Sequence, residues 1–253
     1  MLARSYAEPP FRVGPALDAD GAAYLIIVCA GPGVFGGDDL RQSIHVGRGA
    51  RVVLTSQSAL QIHPSIDAST ATLRHEYRVD EDGELHADWD PAIPFAGARL
   101  DQRIAIDLAD GARLFWSDAL LAGRAGRGEA WRFASLSHEL RLHARGALAY
   151  LERYALTPDG RMTRAWVAGK ATHSGTTLVA HPGATPAAAA ELHASLQSSY
   201  APDVMTAVDC LQDGLILTRL LSASGNRFAS AREMLRIRSL PSIFGRAAVP
   251  KRK

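Results

Sequence analysis

The sequence predicts a single, mainly β domain spanning residues 1–253, with about two α-helices near its C-terminal end. Three observations predict it. Short runs with alternating apolar and polar residues recur from Tyr24 to about Leu156. Turn signals separate those runs. Helix signals are confined to the stretch after Thr185.

The strand candidates, in order, are Tyr24–Ala30, Leu40–Val46, Arg51–Thr55, Ala71–Val79, Leu100–Leu108, Arg113–Asp118, Ala130–Leu136, Glu139–Ala144 and Leu148–Leu156. In Arg103-Ile104-Ala105-Ile106-Asp107-Leu108 the period is two, as a half-buried strand requires. Asp-Gly occurs five times, at Asp20, Asp82, Asp110, Asp159 and Asp213. Glycine supplies the positive φ of tight hairpin turns, and aspartate tolerates it. Gly-Ala follows a polar residue at Gly49, Gly111 and Gly146, as if one strand-pair unit were reused. Later, Thr185-Pro186 and the alanine run to Tyr200 read as a helix with Thr185 at its N-cap and Pro186 in its first turn. A second helix is expected from about Ser230 to Ser239, ending before Pro241. Leu215-Ile216-Leu217 between them reads as a buried strand. No linker divides the chain.

Apolar residues make up 47% of the chain and charged residues 21%, a composition that builds a core and argues against disorder. A net charge of +2 gives no global pull toward nucleic acid or membrane. Locally the balance is uneven. Glu76 to Asp90 holds seven carboxylates and one arginine, whereas Asn226 to Lys253 holds eight Lys/Arg and one glutamate. These read as solvated surface or as partner-docking segments. The longest apolar run, Ala22 to Ala30, is too short to span a membrane. No basic-then-apolar leader precedes it. Cys29 and Cys210 lack any C-x-x-C spacing. A cytoplasmic protein without a disulfide scaffold or structural zinc is expected.

Motif chemistry is sparse. Gly31-Pro32-Gly33-Val34-Phe35-Gly36 fits G-x-G-x-x-G after a strand. A dinucleotide site needs a helix to open there, so that its N-terminus meets the pyrophosphate. Leu40–Val46 reads as a strand instead, and no acidic residue stands near the required position some 20 residues on. The glycines rather shape a tight loop that projects Asp38 and Asp39. The nine histidines are scattered, without H-E-x-x-H. His138 and His143 should face opposite sides of regular strands. G-x-S-x-G is absent, and neither cysteine has a context that lowers its pKa. No catalytic motif is present, so a non-enzymatic role is expected.

Four stretches, in order, resemble the urease accessory protein UreD (UreH) family. Gly36-Gly37-Asp38-Asp39-Leu40 resembles its G-G-D-x-L turn. Gly47 to Ala59, with Leu54-Thr55-Ser56-Gln57, resembles its G-x-G-A … L-T-T-Q-x-A segment. Ile93-Pro94-Phe95-Ala96-Gly97-Ala98-Arg99 resembles I-P-F-x-G-A-R, and Gly123 to Glu129 resembles G-R-x-x-x-G-E. Gly214 to Arg219 and Phe244-Gly245-Arg246 are similar to later elements of the family. Cys29-Ala30-Gly31-Pro32 stands where the family usually has His-Pro-Pro. Leu60-Gln61-Ile62-His63-Pro64 and Trp89-Asp90-Pro91-Ala92 also depart from its pattern. The chain is expected to start after the family's first strands.

The resemblance implies a many-stranded, flattened, β-helix-like stack. It implies a scaffold that binds a UreF-like helical protein and, through it, a UreG-like GTPase, and that delivers nickel to apo-urease. Nickel would be a transient cargo, with no cofactor tightly bound. A conduit must release what it binds, so weak oxygen ligands suit it better than a cysteine cage. The candidates are Asp38 and Asp39 on the glycine turn, Thr55, Ser56 and Gln57 on the next strand, and Glu129 on the later turn. Fold maintenance is the other role open to these six, because carboxylates in glycine turns bond backbone N–H groups. Two rival functions stay open: a divergent β-fold binding module without a urease role, and a carboxylate-dependent carbohydrate hydrolase.

Overall fold

The computed structural model describes residues 2–165 and 167–249. Sixteen strands occur among them. The first eight are β1 (Phe11–Val13), β2 (Leu17–Ala19), β3 (Ala22–Cys29), β4 (Asp39–Val46), β5 (Arg51–Ser56), β6 (Leu60–Ile62), β7 (Ala71–Val79) and β8 (Glu84–Asp88). The rest are β9 (Ala92–Pro94), β10 (Arg99–Leu108), β11 (Arg113–Leu121), β12 (Ser135–Ala144), β13 (Ala147–Leu156), β14 (His173–Ala180), β15 (Val204–Gln212) and β16 (Leu215–Ser222). A 3₁₀ turn spans Ala125–Arg127, and the helices are α1 (Pro186–Tyr200) and α2 (Gly225–Phe244).

The chain alternates between two sheets. In the first, β3, β5, β8 and β11 run parallel in adjacent positions. In the second, β4, β7, β10 and β12 do the same. Parallel neighbours need a crossover, and here each crossover is a strand of the opposite sheet. The chain therefore winds as a flattened solenoid of about four turns. The parallel strands bear apolar side chains on their inner faces, so the space between the sheets is the core. Beyond the coils the pairing turns antiparallel: β13 folds back on β12, and β14, β16 and β15 extend the first sheet from β11. The helices cover the outer face of this extension. Leu192 of α1 and Leu240, Ile243 and Phe244 of α2 pack with Phe115, Val179 and Ile216.

Thr185 caps α1, accepting the Ala188 N–H at 3.2 Å, with Pro186 opening the helix. Two expected boundaries are corrected. Ala130–Leu136 and Glu139–Ala144 are not two strands; a single β12 starts at Ser135, because Trp131 takes a left-handed φ of 58° that no strand accommodates. The second helix begins after Ser224 and runs through Pro241 to Phe244. The bond lost at Pro241 would have gone to Ile237, which lies on the helix's exposed side where water can take its carbonyl. Continuing the helix buries Ile243 and Phe244. His138 and His143 share β12 and face opposite ways, with His138 buried against the second sheet's partners.

Candidate functional site: a polar layer inside the stack

Alternation should make every inward position apolar, yet one inward residue per strand is polar. On β11 the inward residues are Leu114, Trp116, Asp118 and Leu120; on β10 they include Leu100, Gln102 and Ile104. On β7 they are Leu73, His75 and Tyr77, and on β12 Leu136, His138 and Leu140. In each strand the polar residue separates a member of one apolar cluster (Trp116, Ile104, Tyr77, Leu140) from a member of a second (Leu120, Leu100, Leu73, Leu136). Register aligns these positions except His75, which lies opposite Ile104, one inward step along from Gln102. Asp118, Thr176 and Arg219 lie side by side across the first sheet, and Gln102, His138 and Tyr154 across the second.

Cavities follow this layer. One of about 90 Å³ is lined by Cys29, Ser56, His75, Asp90, Gln102 and Asp118. A larger one of about 260 Å³ is lined by Gln102, Asp118, His138, Glu152, Thr176 and Arg219. Gln102 and Asp118 border both, together with Ala92 and Ala119. A surface pocket of about 400 Å³ beside β1 and β4, which includes Asp39, Arg41 and Gln42, shares the Ile27 wall with the smaller cavity. Pocket walls thus succeed one another from the β4 edge to the antiparallel end of the stack.

Asp118 lies deep in the protein but faces cavity space, and it has no ion-pair partner among the described residues. Burial raises its pKa; His138 and Arg232 pull it down, and Glu152 pushes it further up. His75 is pushed down to about 4 by burial, so it is neutral at physiological pH. Its Nε2 meets no protein hydrogen-bond partner among the described residues. His138 Nδ1 and Gln102 Oε1 are 3.0 Å apart, and the imidazole stacks on Tyr154. Glu152 is held by Arg219 Nη1 at 2.6 Å. Burial and the nearby Asp38 charge raise the Cys29 thiol above its usual value, which keeps it protonated. No group of three or more His, Cys, Asp or Glu is gathered closely enough to hold a metal ion among the described residues. The layer offers single polar groups in succession, not a cage.

The six residues singled out in the sequence scatter around this layer. Ser56 lines the smaller cavity and exchanges hydrogen bonds with Asp90, donating to Oδ2 at 3.2 Å and accepting the backbone N–H at 2.8 Å. Thr55 is buried and donates to the Asp88 carbonyl at 3.0 Å. Gln57 is exposed. Asp39 lines the surface pocket, paired with Arg41 at 2.9 Å. Asp38 turns back on its own loop, accepting the Phe35 N–H at 2.8 Å. Glu129 grips Arg124 through two bonds of 2.6 and 2.7 Å. That arginine lies 4.0 Å from the Phe95 ring centroid, Phe95 meets His63 edge-on at 4.6 Å, and His63 stacks on Phe35 at 4.7 Å. The recognisable segments around Phe35, Phe95 and Arg124, with His63 between them, supply one member per coil to a ladder along the stack. A Cβ at Gly33 would lie 2.3 Å from the Gln61 carbonyl oxygen, so only glycine lets neighbouring coils approach there.

A family model described as "UreD urease accessory protein" matches residues 1–253. The chain belongs to the UreD family. It is 34% identical to the urease accessory protein UreD of Sorangium cellulosum over 158 residues, which cover 62% of this chain and 50% of that protein. Against the UreD of Anaeromyxobacter it is 33% identical over 199 residues, 77% of this chain and 66% of the relative. Against UreD 2 of Streptomyces griseus it is 28% identical over 264 aligned positions, 100% of this chain and 88% of the relative. The chain spans about half the length of the Sorangium UreD and of the Trichodesmium erythraeum UreD. No helix among the described residues is long and apolar enough to cross a membrane. UreD membership and the flattened coils agree with the fold expected from the resemblance.

Proposed function

We propose that this chain is a scaffold in urease maturation that passes nickel along its polar layer toward apo-urease, working in the cytoplasm with a UreF-like helical protein and a UreG-like GTPase. The observation that carries the reading is the pair of cavities that share Gln102 and Asp118 in their walls. A dication between two sheets would face an apolar environment unless charge and polar groups met it. Asp118 supplies a carboxyl with no ion-pair partner among the described residues, and neutral His75 supplies a nitrogen without repelling a cation. Ligands met one at a time bind weakly, which suits release. A protonated Cys29 thiol is a poor nickel ligand, so it does not trap the cargo.

The test is Asp118→Asn, co-expressed with the urease and accessory genes. Complex recovery and nickel per active site are measured together. A recovered complex with poorly loaded urease is expected. Full nickel content in a fully recovered complex would exclude passage past Asp118. The carbohydrate-hydrolase alternative has less support: Glu152, the other acid of the larger cavity, is locked to Arg219, and the family is one of accessory proteins.

A further inference from the structure

One side chain of the polar layer is out of keeping with cation passage. Arg219 extends from β16 into the larger cavity. Its Nη1 donates to Glu152 Oε1 at 2.6 Å and to Thr176 Oγ1 at 3.0 Å, and its Nη2 donates to the Tyr150 hydroxyl at 2.7 Å. Tyr150 in turn donates to Glu152 Oε2 at 3.1 Å. Both Glu152 oxygens are thus occupied, one by the guanidinium and one by the phenol.

This arrangement does three things. It joins the two sheets, because Thr176 and Arg219 belong to the first and Tyr150 and Glu152 to the second. It neutralises Glu152, whose side chain is only 7% exposed and would be costly to leave charged and unpaired. It also sets a fixed positive charge where a cation would have to pass. The Arg219 side chain is 41% exposed, unlike the carboxylate it holds, so it has water to move into.

We propose that Arg219 is a displaceable gate: a tethered cation that occupies Glu152 and closes the antiparallel end of the layer until a divalent cation takes its place. The inference rests on the passage reading above and adds the device that controls it. Glu152 and Tyr150 would be the exchange site, trading a guanidinium for a metal ion. A charged group already in place also discourages monovalent ions, which gain too little from the carboxylate to expel it.

The test uses the full chain and nickel chloride alone, read by titration calorimetry. Wild type should bind weakly, because Glu152 is occupied. Arg219→Met keeps most of the stem's bulk and removes the charge, and it should tighten nickel binding by about tenfold or more. Adding Glu152→Gln to that variant should abolish the gain. Arg219→Lys, which keeps the charge but cannot bridge Glu152 and Tyr150 in the same way, should fall between wild type and Arg219→Met. A folded Arg219→Met with wild-type nickel affinity overturns the proposal, as does a gain that survives Glu152→Gln. If neither Arg219 variant folds, the guanidinium is a strut of the fold and the gate is refuted. These readouts use no urease, so a failed gate and a failed passage are told apart by the Asp118→Asn loading assay.

Discussion

Arg232 of α2 and Asp88 of β8, 144 residues apart in the chain, form an ion pair of 3.2 Å beneath the helix, with about a tenth of either side chain exposed. The same guanidinium donates to the Trp89 carbonyl at 2.8 Å and to Ser117 Oγ at 2.9 Å. Arg236 approaches Asp88 at 3.8 Å, and Arg246 lies 3.4 Å from the buried Glu84. The acidic stretch and the basic C-terminal stretch are therefore partly complementary to each other. Part of the charge imbalance seen along the sequence closes within the fold and is unavailable to a partner.

Removing Arg232 leaves Asp88 with Arg236 at 3.8 Å, so the carboxylate loses its nearer cation but is not stranded. Arg232→Ala should cost about 1–3 kcal/mol of stability, the range for lost hydrogen bonds to charged groups. Denaturant unfolding checks this, and a loss under about 1 kcal/mol would mean that the pair is idle. Phe228, Ala231, Leu235 and Leu240 are also buried on α2. Deleting the chain from Asn226 onward should thus unfold the protein rather than free a docking tail. A partner-binding role for α2 is better probed at exposed Ile237, where Ile237→Asp should leave stability nearly unchanged.

Glu129→Ala should act through Arg124. Without the carboxylate the guanidinium loses two charge-assisted bonds and its fixed place over Phe95. The unfolding midpoint should fall, and Asp38→Ala should lower it too by releasing the Phe35 N–H. Both variants should load urease with nickel in proportion to the complex recovered. A fully recovered complex with low nickel would instead give these turns a part in metal passage.

His75 gives the stability of the chain a pH dependence. Its folded pKa lies near 4, against 6.5 for the free imidazole. Between those values the unfolded chain binds a proton that the folded one refuses, so stability falls as pH drops from about 6.5 toward 4. His75→Gln should flatten the unfolding midpoint across that window. An unchanged slope would assign the acid sensitivity to other groups.

Much of the coil pattern is legible locally. Ala71–Val79 has the same bounds in sequence and structure, and Thr185-Pro186 opens α1 as the capping rule requires. The short strands β6 and β9 are hidden, because three residues carry no period. β8 is hidden by its acidic context; Glu84 and Asp88 look solvated until Arg113, Arg232 and Arg246 are brought to them from distant segments. The polar layer leaves local traces in Leu73-x-His75-x-Tyr77, Leu100-x-Gln102-x-Ile104 and Leu114-x-Trp116-x-Asp118-x-Leu120, each a polar residue on the apolar face of a strand. The expected strand stopped at Asp118, so the residue looked like an end rather than an interruption. That Gln102 should lie beside His138, and Asp118 beside Thr176, depends on the winding, which no local periodicity encodes.

Asp118 should lower stability at the pH where it works. Burial raises its folded pKa above the ordinary aspartate value, and this outweighs the pull of His138 and Arg232. Below the unfolded pKa both states are protonated and the residue costs nothing. As pH rises from there through the folded pKa, the folded state holds a proton that the unfolded state has released, so stability declines. The penalty is complete once the pH has passed the folded pKa. Asparagine keeps the shape and removes the charge, so Asp118→Asn should melt higher than wild type at pH 7. Each ~1 kcal/mol gained raises the midpoint by roughly 2–4 °C in a chain of this size. The gap should close as the pH approaches 4. Calorimetry over that range decides it. A variant less stable than wild type at pH 7 would mean that the carboxylate is satisfied by its neighbours. A variant that is more stable, yet loads urease poorly, would mean that Asp118 is kept against the preference of the fold, as a site that must meet a cation requires.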